Sequence, residues 1–155
     1  MREAAIMFID LRGFTALSER LAPVDVMQLL GAYQTLMAQA VRSAGGSIDK
    51  FMGDGILASF GAVRPSETYA ADGMTALESV LEKGVAWRTA REAQGLAAPA
   101  VAAAVTTGAV MFGTVGDSQR LEYTVLGETV NLAAKLEKHT KVEAASGIVS
   151  DTTFA

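Results

Sequence analysis

Two hydrophobic periods alternate along this chain, and the switches between them mark out its elements. Residues 4–9 are continuously apolar, the pattern of a fully buried strand, and Gly13 closes the run. Over residues 24–42 the apolar positions Val26, Leu29, Leu30, Tyr33, Leu36, Met37 and Val41 recur at helical spacing until Gly45-Gly46 stops the helix. Residues 48–52 and 56–60 are short apolar runs about Gly53-Asp54-Gly55, and Asp-Gly between such runs signals a hairpin. A second helix is predicted over residues 66–92, with Ser66 as N-cap and Ala70, Met74, Leu77, Leu81 and Val85 on its buried stripe. Residues 101–107 read as a third buried strand, and residues 109–115 and 120–125 as a hairpin about Gly116-Asp117-Ser118. A helix over residues 128–138 and a last strand from Ile148 complete the order β-α-β-β-α-β-β-α-β. Strands and helices mixed with hairpins predict an α+β fold: a ferredoxin-like mixed or antiparallel sheet with helices on one face.

With 155 residues, half of them hydrophobic and 19% charged, the chain reads as one globular domain spanning 1–155. Its net charge of −4 provides no general attraction to nucleic acid. The absence of cysteine excludes disulfides, thiolate metal sites and thiol nucleophiles, and fits a reducing compartment. The longest apolar stretch, residues 96–105, is alanine-rich, contains Pro99 and falls short of the ~20 residues that span a bilayer. Asp10 ends the first apolar run too early for a signal peptide. The abrupt start in a strand leads us to expect a cytoplasmic domain cut from a longer protein, with any membrane anchor outside this chain.

Two aspartates, Asp10 after the first strand and Asp54 at the hairpin turn, are the leading chemical candidates. Each alone has a local explanation, Asp10 as a turn cap and Asp54 as a left-handed turn residue. Together, on neighbouring strands, they suit hard divalent cations, held weakly unless a polyphosphate completes the shell. A haloacid-dehalogenase-type phosphatase would want a second Asp two residues after Asp10, where this chain has Arg12. Gly13-Phe14-Thr15 offers successive backbone N–H groups for phosphate oxygens, or is a plain strand-to-helix turn. Lys50 is expected on the same face as Ile48 and Met52, either as a snorkelling edge residue or as a ligand donor. Thr124 ends a strand; Asn131 and Lys135, four apart on the following helix, share a face as a donor pair for a phosphoryl oxyanion or as an ordinary solvated face. His139, the only histidine, is expected at the surface, and Trp87 and the methionines in the core.

Three segments in this order, Phe8-Ile9-Asp10-Leu11-Arg12-Gly13-Phe14-Thr15, Lys50-Phe51-Met52-Gly53-Asp54-Gly55 and the run from Tyr123-Thr124-Val125-Leu126-Gly127 through Asn131 and Lys135 to Glu137, resemble the catalytic domain of class III nucleotidyl cyclases. The resemblance implies that Asp10 and Asp54, with Leu11 beside them, bind two Mg²⁺ or Mn²⁺ ions. It implies that Lys50 and Thr124 read the purine, that Asn131 orients the ribose and that Lys135 stabilises the pentavalent phosphorus; from their turn, Gly13, Phe14 and Thr15 are expected to contact the substrate. It further implies a head-to-tail homodimer, with the aspartates from one subunit and the other groups from its partner. A lysine only donates and a threonine hydroxyl can accept, so Lys50 with Thr124 complements adenine, and ATP is the expected substrate. The threonine is similar to that of a bacterial subgroup, some of whose members respond to bicarbonate. The family usually carries arginine at position 135 and a further hairpin with a phosphate-binding lysine after the point where this sequence stops; that segment is either cut off here, a C-terminal truncation, or missing from the protein. A catalytically silent dimerising module is the rival reading. A diguanylate cyclase would want a Gly-Gly-[Asp/Glu]-Glu-Phe turn, and a polymerase palm a template groove; neither pattern is present.

Overall fold

The computed structural model describes the main chain of residues 2–117, 120–126, 128–142 and 147–149, and the side chains of residues 2–111 and 128–138. Its elements are β1 (Arg2–Leu11), α1 (Phe14–Arg20), α2 (Pro23–Ser43), β2 (Ser47–Met52), β3 (Gly55–Phe60), α3 (Tyr69–Ala93), β4 (Val101–Asp117), β5 (Arg120–Leu126), α4 (Glu128–Val142) and β6 (Gly147–Val149). The sheet runs β2-β3-β1-β4-β5, every neighbour antiparallel, with β6 added parallel to β4. The mixed sheet of the expected α+β fold is therefore present, with α1 as an added short helix.

Strand alternation sorts the core into two layers. Ala5, Met7, Ile9 and Leu11 of β1, with Val101, Ala103 and Val105 of β4, meet Leu29, Tyr33, Met37 and Val41 of α2 and Ala76, Leu77 and Val80 of α3. Ala4 and Ile6, with Leu57 of β3 and Val110 of β4, meet Ala133 and Val130 of α4. The arrangement of helices on one face thus describes α2 and α3, whereas α4 covers the other face.

Three local expectations are corrected. First, α3 starts at Tyr69 after Thr68, and Ser66 is not its N-cap; the Ser66 hydroxyl instead accepts from the Thr68 amide at 3.1 Å. Second, the α3 face against the sheet is Gly73, Ala76, Leu77, Val80 and Gly84, whereas Val85 is 68% exposed. Small residues win there because the backbones approach closely: a Cβ on Gly84 would lie 2.8 Å from Val101 Cβ, and one on Gly73 would lie 3.1 Å from Ala5 Cβ. Third, the strand of residues 101–107 and that of 109–115 are one strand, β4, running straight through Gly108. That glycine makes room for α4, since a Cβ would come 2.6 Å from Thr129 Oγ1. The methionines divide: Met7 and Met37 are buried, Met27, Met52 and Met111 exposed. Trp87 packs against the core as expected. The turn at Ser118 and the residue Ser150 lie outside the described residues, as does the side chain of His139.

The α3 contact generates a stability test. Gly84→Val is expected to cost about 1–3 kcal/mol by overpacking against Val101, whereas Val85→Ala should stay within about 0.5 kcal/mol. Urea denaturation of the two variants measures this, and the opposite ranking would restore the stripe read from the sequence.

Candidate active site

β1 carries Asp10 to the end of the sheet, and β3 brings Asp54 beside it. The antiparallel register reaches Ile9 opposite Ile56, so the chains leave the ladder side by side at Asp10 and Gly55. One residue further on each, the Leu11 amide donates to Asp54 Oδ2 at 3.1 Å. Gly53, with φ 62°, takes the left-handed turn position expected of Asp54. The two carboxylates are therefore neighbours at one sheet end.

Whether divalent cations suit this end of the sheet turns on Asp10. Its Oδ1 is buried and finds no hydrogen-bond donor among the described residues. A buried carboxylate oxygen without a donor is costly, and a hard cation is the kind of group that satisfies it. Leu11 could add only its main-chain oxygen. Among the described residues no three side chains of His, Cys, Asp or Glu form a metal cluster, so no third such side chain joins the two aspartates as a ligand. The residues fit a cation whose remaining ligands come from substrate or water.

Tyr33, which the sequence suggested only as a core residue, touches this site. It is fully buried, and its hydroxyl donates to the Asp54 carbonyl at 2.8 Å. Burial, then the charges of Asp10, Asp54 and Glu137, push its phenol far above the ordinary value of 10.0. Glu137 was quoted within the third segment without a role, yet it is fully buried on α4. The available signal was its place, seven residues after Val130 and four after Ala133, on the stripe facing the sheet.

A bulge places Lys50. β2 pairs Ile48 with Ala58 but Lys50 with Leu57, so the register shifts between them. Ala58 belongs to the α2–α3 layer and Leu57 to the α4 layer. Lys50 therefore shares a face with Met52 but not with Ile48, a correction to the strict alternation expected. Its ammonium lies 3.7 Å from the Asp49 carboxylate and stays partly exposed. Thr124 sits in β5 with its main chain opposite Gly113, and its side chain is outside the described residues.

The first turn of α4 is bonded to β4 from both sides. Thr106 Oγ1 donates to the Thr129 carbonyl at 2.8 Å, and Thr129 Oγ1 donates to the Ala109 carbonyl at 3.0 Å. This docking presents Asn131 and Lys135 together in an open groove of about 450 Å³, also lined by Glu128, Thr129 and Leu132. Neither aspartate nor Lys50 lines that groove. Gly13 precedes α1 with φ 68°, a left-handed conformation that glycine adopts without strain. Phe14 packs on the core and Thr15 is exposed.

A family model described as the adenylate and guanylate cyclase catalytic domain matches residues 1–153. The chain belongs to that family. An adenylate cyclase of Anabaena cylindrica is 34% identical over 141 residues, covering 90% of this chain but 28% of the relative, so the chain spans about a quarter of that protein. The solved guanylyl cyclase Cya2 is 34% identical with a TM-score of 0.88, covering 98% of this chain and 76% of that one. The adenylyl cyclase CyaB from P. aeruginosa is 31% identical with a TM-score of 0.88, covering 99% and 79%. No helix among the described residues of this cyclase domain is long and apolar enough to cross a membrane.

The raised phenol of Tyr33 has a pH consequence. Above about pH 10 the unfolded cyclase domain releases a proton that native Tyr33 keeps, so this contribution to stability is complete below pH 10 and falls as pH rises. The slope is about 1.4 kcal/mol per pH unit. Urea stability of the wild type between pH 9.5 and 11 should fall more steeply than that of Tyr33→Phe; equal slopes would place Tyr33 in an ordinary environment.

Proposed function

We propose that this cyclase domain converts ATP to 3′,5′-cyclic AMP and pyrophosphate for intracellular signalling, at sites shared between two head-to-tail copies. The observation that carries the reading is the donor-less Asp10 oxygen beside an Asp54 carboxylate fixed on the neighbouring amide. Asp10 and Asp54, with the Leu11 carbonyl, would hold two Mg²⁺ or Mn²⁺ ions. Bound there, the ions supply positive charge that lowers the pKa of the ribose 3′-hydroxyl and neutralises the leaving pyrophosphate.

The chain's own groups do the rest. Lys50 donates to adenine N1 and the Thr124 hydroxyl accepts from the 6-amino group. Solved relatives of similar identity include both a guanylyl and an adenylyl cyclase, so base choice rests on this pair. Asn131 orients the ribose, and Lys135 offers its charge to the oxygens of the five-coordinate phosphorus. Amides at Gly13, Phe14 and Thr15 contact the triphosphate. Cyclisation is intramolecular, so holding the 3′-hydroxyl in line with the α-phosphorus removes much of the barrier. A homodimer is supported by the separation of groups on one chain, since the groove of Asn131 and Lys135 contains neither aspartate.

Lysine at 135 has one compact charge where arginine would span two oxygens, so turnover should be slow. Lys135→Ala is expected to lose a further factor on the order of 10²–10³ in kcat and Lys135→Arg to gain. If arginine brings no increase, the groove does not meet the transition state as described. The function itself is tested by incubating the protein with Mn²⁺ and either ATP or GTP and identifying the cyclic product. Cyclic AMP is expected, lost in Asp10→Asn and Asp54→Asn. Preference for GTP would overturn the base assignment, and a folded, dimeric protein forming no product would favour the silent-module reading.

A further inference from the structure

We infer that Tyr33 is a positioning residue for the Asp54 carboxylate, acting through the main chain of the turn that carries it. The inference rests on the metal reading above and adds a residue to it. Asp54 is gripped at two points: its side chain by the Leu11 amide at 3.1 Å, and its own carbonyl by the Tyr33 hydroxyl at 2.8 Å. The next residue of α2 extends the grip, Gln34 Nε2 donating to the Gly53 carbonyl at 3.3 Å. Two consecutive side chains of one helix thus hold two consecutive carbonyls of the turn.

The turn needs such a clamp. It is two residues long, its glycine is left-handed, and Met52 before it is 45% exposed, so core packing does not fix it. A ligand carboxylate, by contrast, has to be held within roughly 0.5 Å of its working place. Tyr33 is well placed to do this because its ring cannot swing away. Trp87 packs against it with centroids 6.2 Å apart, and the Arg91 guanidinium lies 5.4 Å over the Trp87 ring. Arg91 is tied in turn by its Nε to the Ala97 carbonyl at 2.6 Å.

The test is Mn²⁺ binding to the chain, read by the electron paramagnetic resonance signal of the free ion, with a thermal melt of each variant. Tyr33→Phe keeps the ring and removes the donor, and should weaken Mn²⁺ binding about three- to tenfold. Gln34→Ala, outside the core, should weaken it about twofold and reports on the same clamp should Tyr33→Phe fail to fold. Met37→Ala, one turn along α2 in the same core, should lower the melting temperature and leave Mn²⁺ affinity unchanged. Wild-type affinity in both clamp variants would overturn the inference, as would an equal loss in Met37→Ala, which would mean that general loosening is responsible. A wild-type chain that binds no Mn²⁺, either alone or with a non-cyclisable ATP analogue present, would overturn the metal reading itself.

Discussion

The hydrogen bond from the Leu11 amide to the Asp54 carboxylate is the contact on which the site depends. It exists because β1 and β3 run antiparallel in a register that lets both leave the ladder at the same level. A slip of one residue would turn every side chain of β3 to the opposite face, and the two cores forbid it. The hydrophobic layers therefore fix the geometry of the aspartates. Burial of Ile9 and Ile56 against α2 and α3 on one side, and of Ile6 and Leu57 against α4 on the other, excludes any one-residue slip, which would expose both sets.

The same logic distributes the remaining groups. Thr106 and Thr129 bond α4 to β4 across a gap that only a glycine at 108 leaves open, and Asn131 and Lys135 are presented from that docked helix. The bulge after Ile48 turns Lys50 towards the sheet face that α4 covers. On the proposed reading, the purine-reading and transition-state groups of one copy are thereby gathered on one side to meet the aspartates of the other. On that proposal a single copy carries half of each site and gains activity only by pairing.

Much of this was legible in the sequence where periodicity was strong. The buried run into Asp10, the helix around Leu29, Tyr33 and Met37, and the Asp-Gly hairpin all stand where the apolar pattern put them. Failures followed from one assumption, that large apolar residues mark the buried face. In α3 the face against the sheet is set by Gly73 and Gly84, because close helix–sheet approach excludes side chains, and Val85 is left in solvent. Gly108 looked like a break for the same reason. The bulge at Lys50 was invisible because a period of two cannot report an inserted residue. Tyr33 and Glu137 were hidden by their own consistency with helical stripes: a polar atom at the end of a core side chain carries no signal until its neighbours are known. The proposed cation-binding and substrate roles come from the combination of three segments, and no single spacing would have carried them.

The central claim is that Asp10 and Asp54 ligate common cations. A crystal of the protein grown with Mn²⁺ and a non-cyclisable ATP analogue, with anomalous difference maps recorded for manganese, tests it directly. The account predicts anomalous peaks between the two carboxylates, at metal–oxygen distances near 2.0–2.2 Å, close to the ~2.0–2.1 Å usual for Mg²⁺. Bound nucleotide with manganese held away from either carboxylate, or with no anomalous peak at that end of the sheet, would contradict it.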